Sequence, residues 1–146
     1  MDRRHFIGQG AAALGLLAGF SGQARANLQK AEILVIGGGY GGATAAKYLR
    51  LFSNNTAKVT LIEPNTSFIS CPMSNLVIGG SRTLAEITSP YDTLSKRHGI
   101  KIIQDSVSSI DPDKKIVKLA SGKTLRYDKA VVSPGVSLNF KSIEGL

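Results

Sequence analysis

Apolar positions along this chain come in short unbroken runs, each closed by glycine or a polar turn. Ile33-Leu34-Val35-Ile36 leads straight into Gly37-Gly38-Gly39-Tyr40-Gly41-Gly42. Lys58-Val59-Thr60-Leu61-Ile62, Ile100-Lys101-Ile102-Ile103 and Ala130-Val131-Val132 follow further on. Short β-branched runs without strict alternation predict strands covered on both faces, as in a parallel sheet. Residues 43–51, with small side chains along one side, predict a helix between the first two strands. Residues 107–111 and 115–119 alternate instead, and Asp111-Pro112-Asp113 joins them as a turn. Ser121-Gly122-Lys123 is a second turn, sending residues 124–128 back toward Ala130. The pattern predicts an α/β domain: a parallel sheet with a β-meander.

The glycines carry the first chemistry. Gly37, Gly39 and Gly42 occupy the three fixed positions of a G-x-G-x-x-G fingerprint. The first lets the chain turn, the second lets backbone approach a pyrophosphate, and the third lets the helix pack close on the strand. The helix N-terminus then faces the phosphates. Glu63, 21 positions beyond Gly42, stands where such folds place a carboxylate on ribose hydroxyls. That carboxylate would repel a ribose phosphate, which argues against NADP. A glycine-rich turn without a ligand explains the loop alone. It does not explain strand, glycines, helix, strand and acid in sequence.

Bulk properties narrow the partners. The chain has 146 residues, room for one domain, and a net charge of +8. It opens with Asp2-Arg3-Arg4-His5-Phe6-Ile7, continues with an apolar stretch from Ala11 to Phe20, and reaches Ala24-Arg25-Ala26. Charged start, short apolar core and small-x-small end predict a secretory signal over residues 1–26, and the paired arginines point to the twin-arginine route. The apolar core is half of what a membrane span needs, about 20 residues, so no span is expected after cleavage. Losing Arg3, Arg4, Arg25 and Asp2 with that leader leaves 15 basic and 9 acidic residues, a charge of about +6. The remaining Lys and Arg form no run longer than a pair and have no interleaved aromatics, which argues against nucleic-acid binding.

Cys71 is the one cysteine. It can form no intramolecular disulfide and no zinc site by itself. That leaves a buried spectator, a reactive thiol or an attachment point. Pro72 predicts an extended Cys71. His98 before Gly99 reads as a helix end with an exposed imidazole, and Lys114-Lys115 as a solvated turn.

The meander, Tyr127-Asp128, the apolar strand and Ser133-Pro134-Gly135 resemble the second FAD motif of flavoproteins with two dinucleotide domains. The resemblance implies a Rossmann-like FAD-binding domain over residues 27–146, the first part of an incomplete two-domain flavoprotein. Ser70-Cys71-Pro72-Met73-Ser74-Asn75, together with the leader, is similar to the flavoprotein subunit of flavocytochrome c sulfide dehydrogenases. Carried over by motif, Gly37, Gly39, Tyr40, Gly42, Glu63, Val107, Ser133, Pro134 and Gly135 would bind FAD, and Cys71 would hold it through a thioether. The same resemblance implies a periplasmic oxidoreductase with a small sulfur substrate and a c-type cytochrome subunit as partner. The family's redox-active cysteine pair has no counterpart in these residues, so no catalytic residue is assigned. Two other functions remain open: a sulfide:quinone-type or NADH-dependent flavoprotein of the same superfamily, and a non-catalytic FAD-binding electron-relay module.

Overall fold

The computed structural model describes residue 28 and residues 30–136; the leader expected over residues 1–26 lies outside them. The chain builds β1 (Glu32–Ile36), α1 (Tyr40–Phe52), β2 (Lys58–Ile62) and β3 (Ser67–Ile69), then a 3-10 turn at Cys71–Met73 and α2 (Ser74–Ile78). A second 3-10 turn, Ala85–Ile87, precedes β4 (Thr88–Pro90), α3 (Asp92–His98) and β5 (Lys101–Ile103). The meander β6 (Val107–Asp111), β7 (Ile116–Leu119) and β8 (Thr124–Arg126) leads into β9 (Lys129–Val132).

Four strands form an all-parallel sheet in the order β5-β2-β1-β9. β1 is central: Val35 pairs with Leu61 on one side and Val131 on the other. Successive side chains of a strand point to opposite faces, and here both faces are covered. Ile33, Val35, Val59 and Leu61 join Ala46, Tyr91 and Ile100 on one face, while Leu34, Ile36 and Ile62 meet Val117 and Leu119 of the meander on the other. This two-sided burial explains why the runs are unbroken rather than alternating. Each such buried aliphatic side chain contributes roughly 1.5–3 kcal/mol. The meander is a separate antiparallel sheet, and β3 and β4 form a two-stranded antiparallel ribbon.

Several boundaries differ from the sequence pattern, each for a local reason. The helix begins at Tyr40, not residue 43, because Gly39 is its N-cap and its carbonyl accepts from the Ala43 N–H at 2.9 Å. Two of the loop's glycines, Gly41 and Gly42, therefore lie inside its first turn. β5 begins after Ile100, whose N–H turns back to the Leu94 carbonyl at 3.3 Å. That bond and the left-handed Gly99, at φ 62°, close the C-terminus of α3, a common helix stop. His98 does end a helix as expected, but it is half-buried, and its carbonyl accepts from Arg50 Nε at 2.7 Å. Lys115, at φ 52°, completes the turn before β7 instead of opening the strand. The ribbon and α2 lack a strong periodic signal, and of α3 the sequence pattern marks only the end at His98.

Candidate functional site

The glycine loop lies at the carboxyl ends of β1, β2 and β9, where the chain leaves β1 for β2 on one side and returns to it through β9 on the other. Ligands of open α/β sheets bind at such a switch point. The Gly37 N–H donates to the Ile62 carbonyl at 2.9 Å and the Ser133 N–H to that of Ile36 at 2.8 Å. Ser133-Pro134 is thereby drawn against the loop.

The three fingerprint glycines are glycine for different reasons. A Cβ on Gly37 would strike the Ser133 carbonyl, and its φ of 95° already disfavours any side chain. A Cβ on Gly42 would enter the Gly37 carbonyl, so here the third glycine admits the first turn of α1 against β1. Gly39 has an ordinary φ of −66°, and a Cβ there would meet no atom within 4 Å. Nothing in the described chain requires glycine at this position. It lines a cavity of about 420 Å³ together with Glu63, Asn65 and Tyr91, at the N-terminus of a 13-residue helix. Open space at a helix N-terminus is what close approach by a pyrophosphate requires.

Glu63 is buried beside it. Its Oε2 accepts from the Gly38 N–H at 2.7 Å. Its Oε1 accepts from Asn65 twice, from the backbone N–H at 3.0 Å and from Nδ2 at 2.7 Å. A carboxylate has about four acceptor positions, so one is left for a hydroxyl. The acid read as a ribose ligand therefore also braces the glycine loop.

Tyr91 and Gly38 are the residues sequence reasoning missed. Tyr91 is buried and donates its hydroxyl to the Gly38 carbonyl at 2.9 Å. Burial, with the Glu63 charge second, pushes the Tyr91 phenol up to about 12. A Cβ on Gly38 would run into the Tyr91 ring and the Glu63 side chain, so this variable position of the fingerprint is also confined to glycine. Asn65 was missed as well, though an amide two residues past the acid could have signalled it; Tyr91 carried no sequence signal.

The remaining candidates divide. Val107 packs on the meander-face cluster containing Ile36 and Ile62, the residues before Gly37 and Glu63. Gly135 lies beyond β9 with φ 76°. Tyr40 is linked to the Cys71 loop: its hydroxyl hydrogen-bonds that of Ser70, and its ring meets Phe68 edge-on at 4.6 Å between centroids. Cys71 itself is exposed, which removes the reading of a buried packing residue. Its expected extended conformation belongs instead to Ser70, at ψ 95°, and Cys71 opens the 3-10 turn, its carbonyl accepting the Ser74 N–H. Cys71 does not line the Glu63 cavity. Tyr127-Asp128 also serves the fold. Asp128 accepts the Glu32 N–H at 2.7 Å and returns its own N–H to the Glu32 carbonyl at 2.8 Å. These bonds fasten β1 at the end opposite the glycine loop.

The family model described as pyridine nucleotide-disulphide oxidoreductase matches residues 31–146. The chain belongs to this family. Its relatives in the family include mouse mitochondrial sulfide:quinone oxidoreductase, 34% identical over 118 residues, which are 79% of this chain and 25% of that protein. The flavocytochrome c sulfide dehydrogenase flavoprotein chain of Chlorobaculum thiosulfatiphilum is 53% identical over 46 residues, 32% of this chain and 94% of that sequence. Among family structures, the crystal structure of Aquifex aeolicus sulfide:quinone oxidoreductase superposes with a TM-score of 0.70 at 34% identity, covering 75% of this chain and 25% of that one. The chain thus spans about a quarter of the length of the sulfide:quinone oxidoreductases it matches. The match bears out the α/β fold with its Rossmann-like parallel sheet.

Proposed function

We propose that this chain is the FAD-binding part of an oxidoreductase that oxidises sulfide or a related small sulfur compound and passes electrons through FAD to a c-type cytochrome subunit. The observation that carries the flavin is Gly39, a glycine whose missing side chain leaves open space at a helix N-terminus, in one cavity with Glu63. Gly39 and the first turn of α1 would take the pyrophosphate, and the remaining acceptor position of Glu63 a ribose hydroxyl. Val107 and Ser133-Pro134-Gly135, near the same strand ends, would flank the cofactor, and Tyr40 would border it from the helix. Bound FAD supplies a two-electron acceptor that can release its electrons one at a time.

Cys71 is the proposed covalent anchor, supported by its exposure and by the hydrogen bond that ties neighbouring Ser70 to Tyr40 of the glycine loop. In forming a C–S bond its thiol and the flavin 8α-methyl each give up one hydrogen. The two protons and two electrons released pass to dioxygen as hydrogen peroxide. Cys71 is the only thiol in the sequence, so a redox-active cysteine pair requires thiols from outside these residues.

The sulfur substrate and the cytochrome are supported by the 53% identity to a flavocytochrome c flavoprotein chain. A quinone acceptor is the second reading, favoured by the longer match to mouse sulfide:quinone oxidoreductase. Residues 1–26 support export by the twin-arginine route and a periplasmic location. Among the described residues no helix is long and apolar enough to cross a membrane.

The test uses the full-length protein with its natural partner chains. Sulfide should bleach the flavin, and oxidised cytochrome c should restore its colour faster than a soluble quinone does. Acid precipitation should leave the yellow colour in the pellet, on the peptide containing Cys71 by mass spectrometry. A flavin that sulfide does not reduce refutes the sulfur assignment, and faster return through quinone selects the second reading. Colour in the supernatant over an unmodified Cys71 peptide refutes attachment.

A further inference from the structure

We propose that Tyr91 is a positioning residue of the dinucleotide site: its hydroxyl sets the plane of the Gly38–Gly39 peptide and so aims the Gly39 N–H at the pyrophosphate. The proposal rests on the FAD reading above and goes beyond it, because Tyr91 lies 53 residues from Gly38, far outside the fingerprint.

A peptide between two glycines has no Cβ on either side to favour one orientation of its plane. Such a unit can turn over and present its carbonyl where its N–H was, and a carbonyl oxygen repels phosphate oxygens. The peptide is planar and trans, so its C=O and N–H point in opposite directions. Whatever holds the Gly38 carbonyl therefore also directs the Gly39 N–H.

Tyr91 holds that carbonyl at 2.9 Å. Glu63 meanwhile holds the Gly38 N–H at 2.7 Å, which fixes the preceding peptide. Two consecutive planes are thus locked from two directions, one by the end of β2 and one by the start of α3. Among the described residues no backbone acceptor meets the Gly39 N–H. Tyr91 is itself immobilised. Its ring belongs to the buried cluster with Val35 and Leu61, and its carbonyl accepts from the Leu94 N–H at 3.0 Å at the start of α3. Its side chain also borders the Glu63 cavity next to Gly39. A purely packing aromatic needs none of these polar relations; Phe would fill the same space.

The test compares ligands with and without a pyrophosphate, in full-length protein carrying Cys71→Ser so that binding stays reversible. Tyr91→Phe keeps the ring and deletes only the hydroxyl. Losing one such hydrogen bond should weaken FAD and ADP binding by about three- to ten-fold. Adenosine, which lacks the phosphates, should bind as before, so the preference for ADP over adenosine falls by the same factor. A residue that merely supported the fold would lower both ligands alike. Equal losses, or no loss for ADP, overturn the assignment to Tyr91 while leaving the FAD reading intact. Absence of FAD and ADP binding before Tyr91 is changed overturns both. Should Tyr91→Phe fail to fold, NMR of the Tyr91 hydroxyl proton decides in the Cys71→Ser protein. That proton should exchange slowly and couple through the hydrogen bond to the Gly38 carbonyl carbon without ligand, and the Gly39 N–H should become protected only when ADP is added; a Tyr91 hydroxyl that exchanges freely and shows no such coupling overturns the lock.

Discussion

Replacing Gly39 by alanine tests whether its glycine serves the proposed ligand, as those at Gly37 and Gly42 serve the fold. The new methyl meets no atom within 4 Å, and φ at −66° suits any residue. Alanine is a poorer N-cap than glycine by roughly 0.5–1 kcal/mol. It restricts the unfolded chain by a similar amount in the other direction, about 0.4–1 kcal/mol. The two effects nearly cancel, so the flavin-free protein should melt within roughly 4 °C of its parent. Gly37→Ala is the contrast. At φ 95° its backbone is strained by about 1–3 kcal/mol, and its methyl overlaps the Ser133 carbonyl, adding a similar overpacking cost. Its melting temperature should fall by roughly 10 °C or more. Flavin affinity should order the variants differently. The Gly39 methyl keeps phosphate from the helix N-terminus, with loss of at least one charge-assisted hydrogen bond worth about 1.5–3 kcal/mol, a ten- to hundred-fold weakening at about 1.4 kcal/mol per decade. Thermal unfolding by circular dichroism, followed by flavin fluorescence titration, reads both quantities on the same samples. A Gly39→Ala protein that keeps full flavin affinity refutes the pyrophosphate assignment. One that melts as low as Gly37→Ala refutes the claim that the fold does not need glycine there.

Two further outcomes follow from the residues around the loop. Glu63→Gln leaves one oxygen where two accept hydrogen bonds from Gly38 and Asn65, so an amide N–H faces another donor. The flavin-free protein should lose about 1–3 kcal/mol of stability and bind flavin at least about ten-fold more weakly; denaturant midpoints and flavin titrations that match the parent's would sink both roles of Glu63. Tyr91 should ionise late: with its phenol at about 12 against an ordinary 10.0, the fold favours the protonated form. That stabilisation is complete below pH 10 and is lost as the pH rises toward 12. A tyrosinate absorbance titration should show a step near pH 12 that is absent from Tyr91→Phe; loss of a step near pH 10 in that variant contradicts the buried donor.

The sequence by itself determined the unit from β1 through the glycine loop, α1 and β2 to Glu63, and the meander before β9. These features rest on short-range rules: unbroken apolar runs mark strands covered on both faces, glycine spacing marks the turn, and alternation marks the meander. What tertiary structure alone decided lies where distant segments meet. That Gly39 is free of the chain while Gly37 and Gly42 are not depends on the positions of Ser133 and of the loop's own carbonyl. The confinement of Gly38 depends on Tyr91 and Glu63, and Tyr91 reaches the loop only because α3 packs beside α1. The exposure of Cys71 and its coupling to Tyr40 through Ser70 depend on a ribbon of two three-residue strands. Ser67–Ile69 and Thr88–Pro90 lack the apolar run that marks the equally short β5, and a side chain 53 residues away becomes a loop's partner only after the sheet has brought both to the same edge.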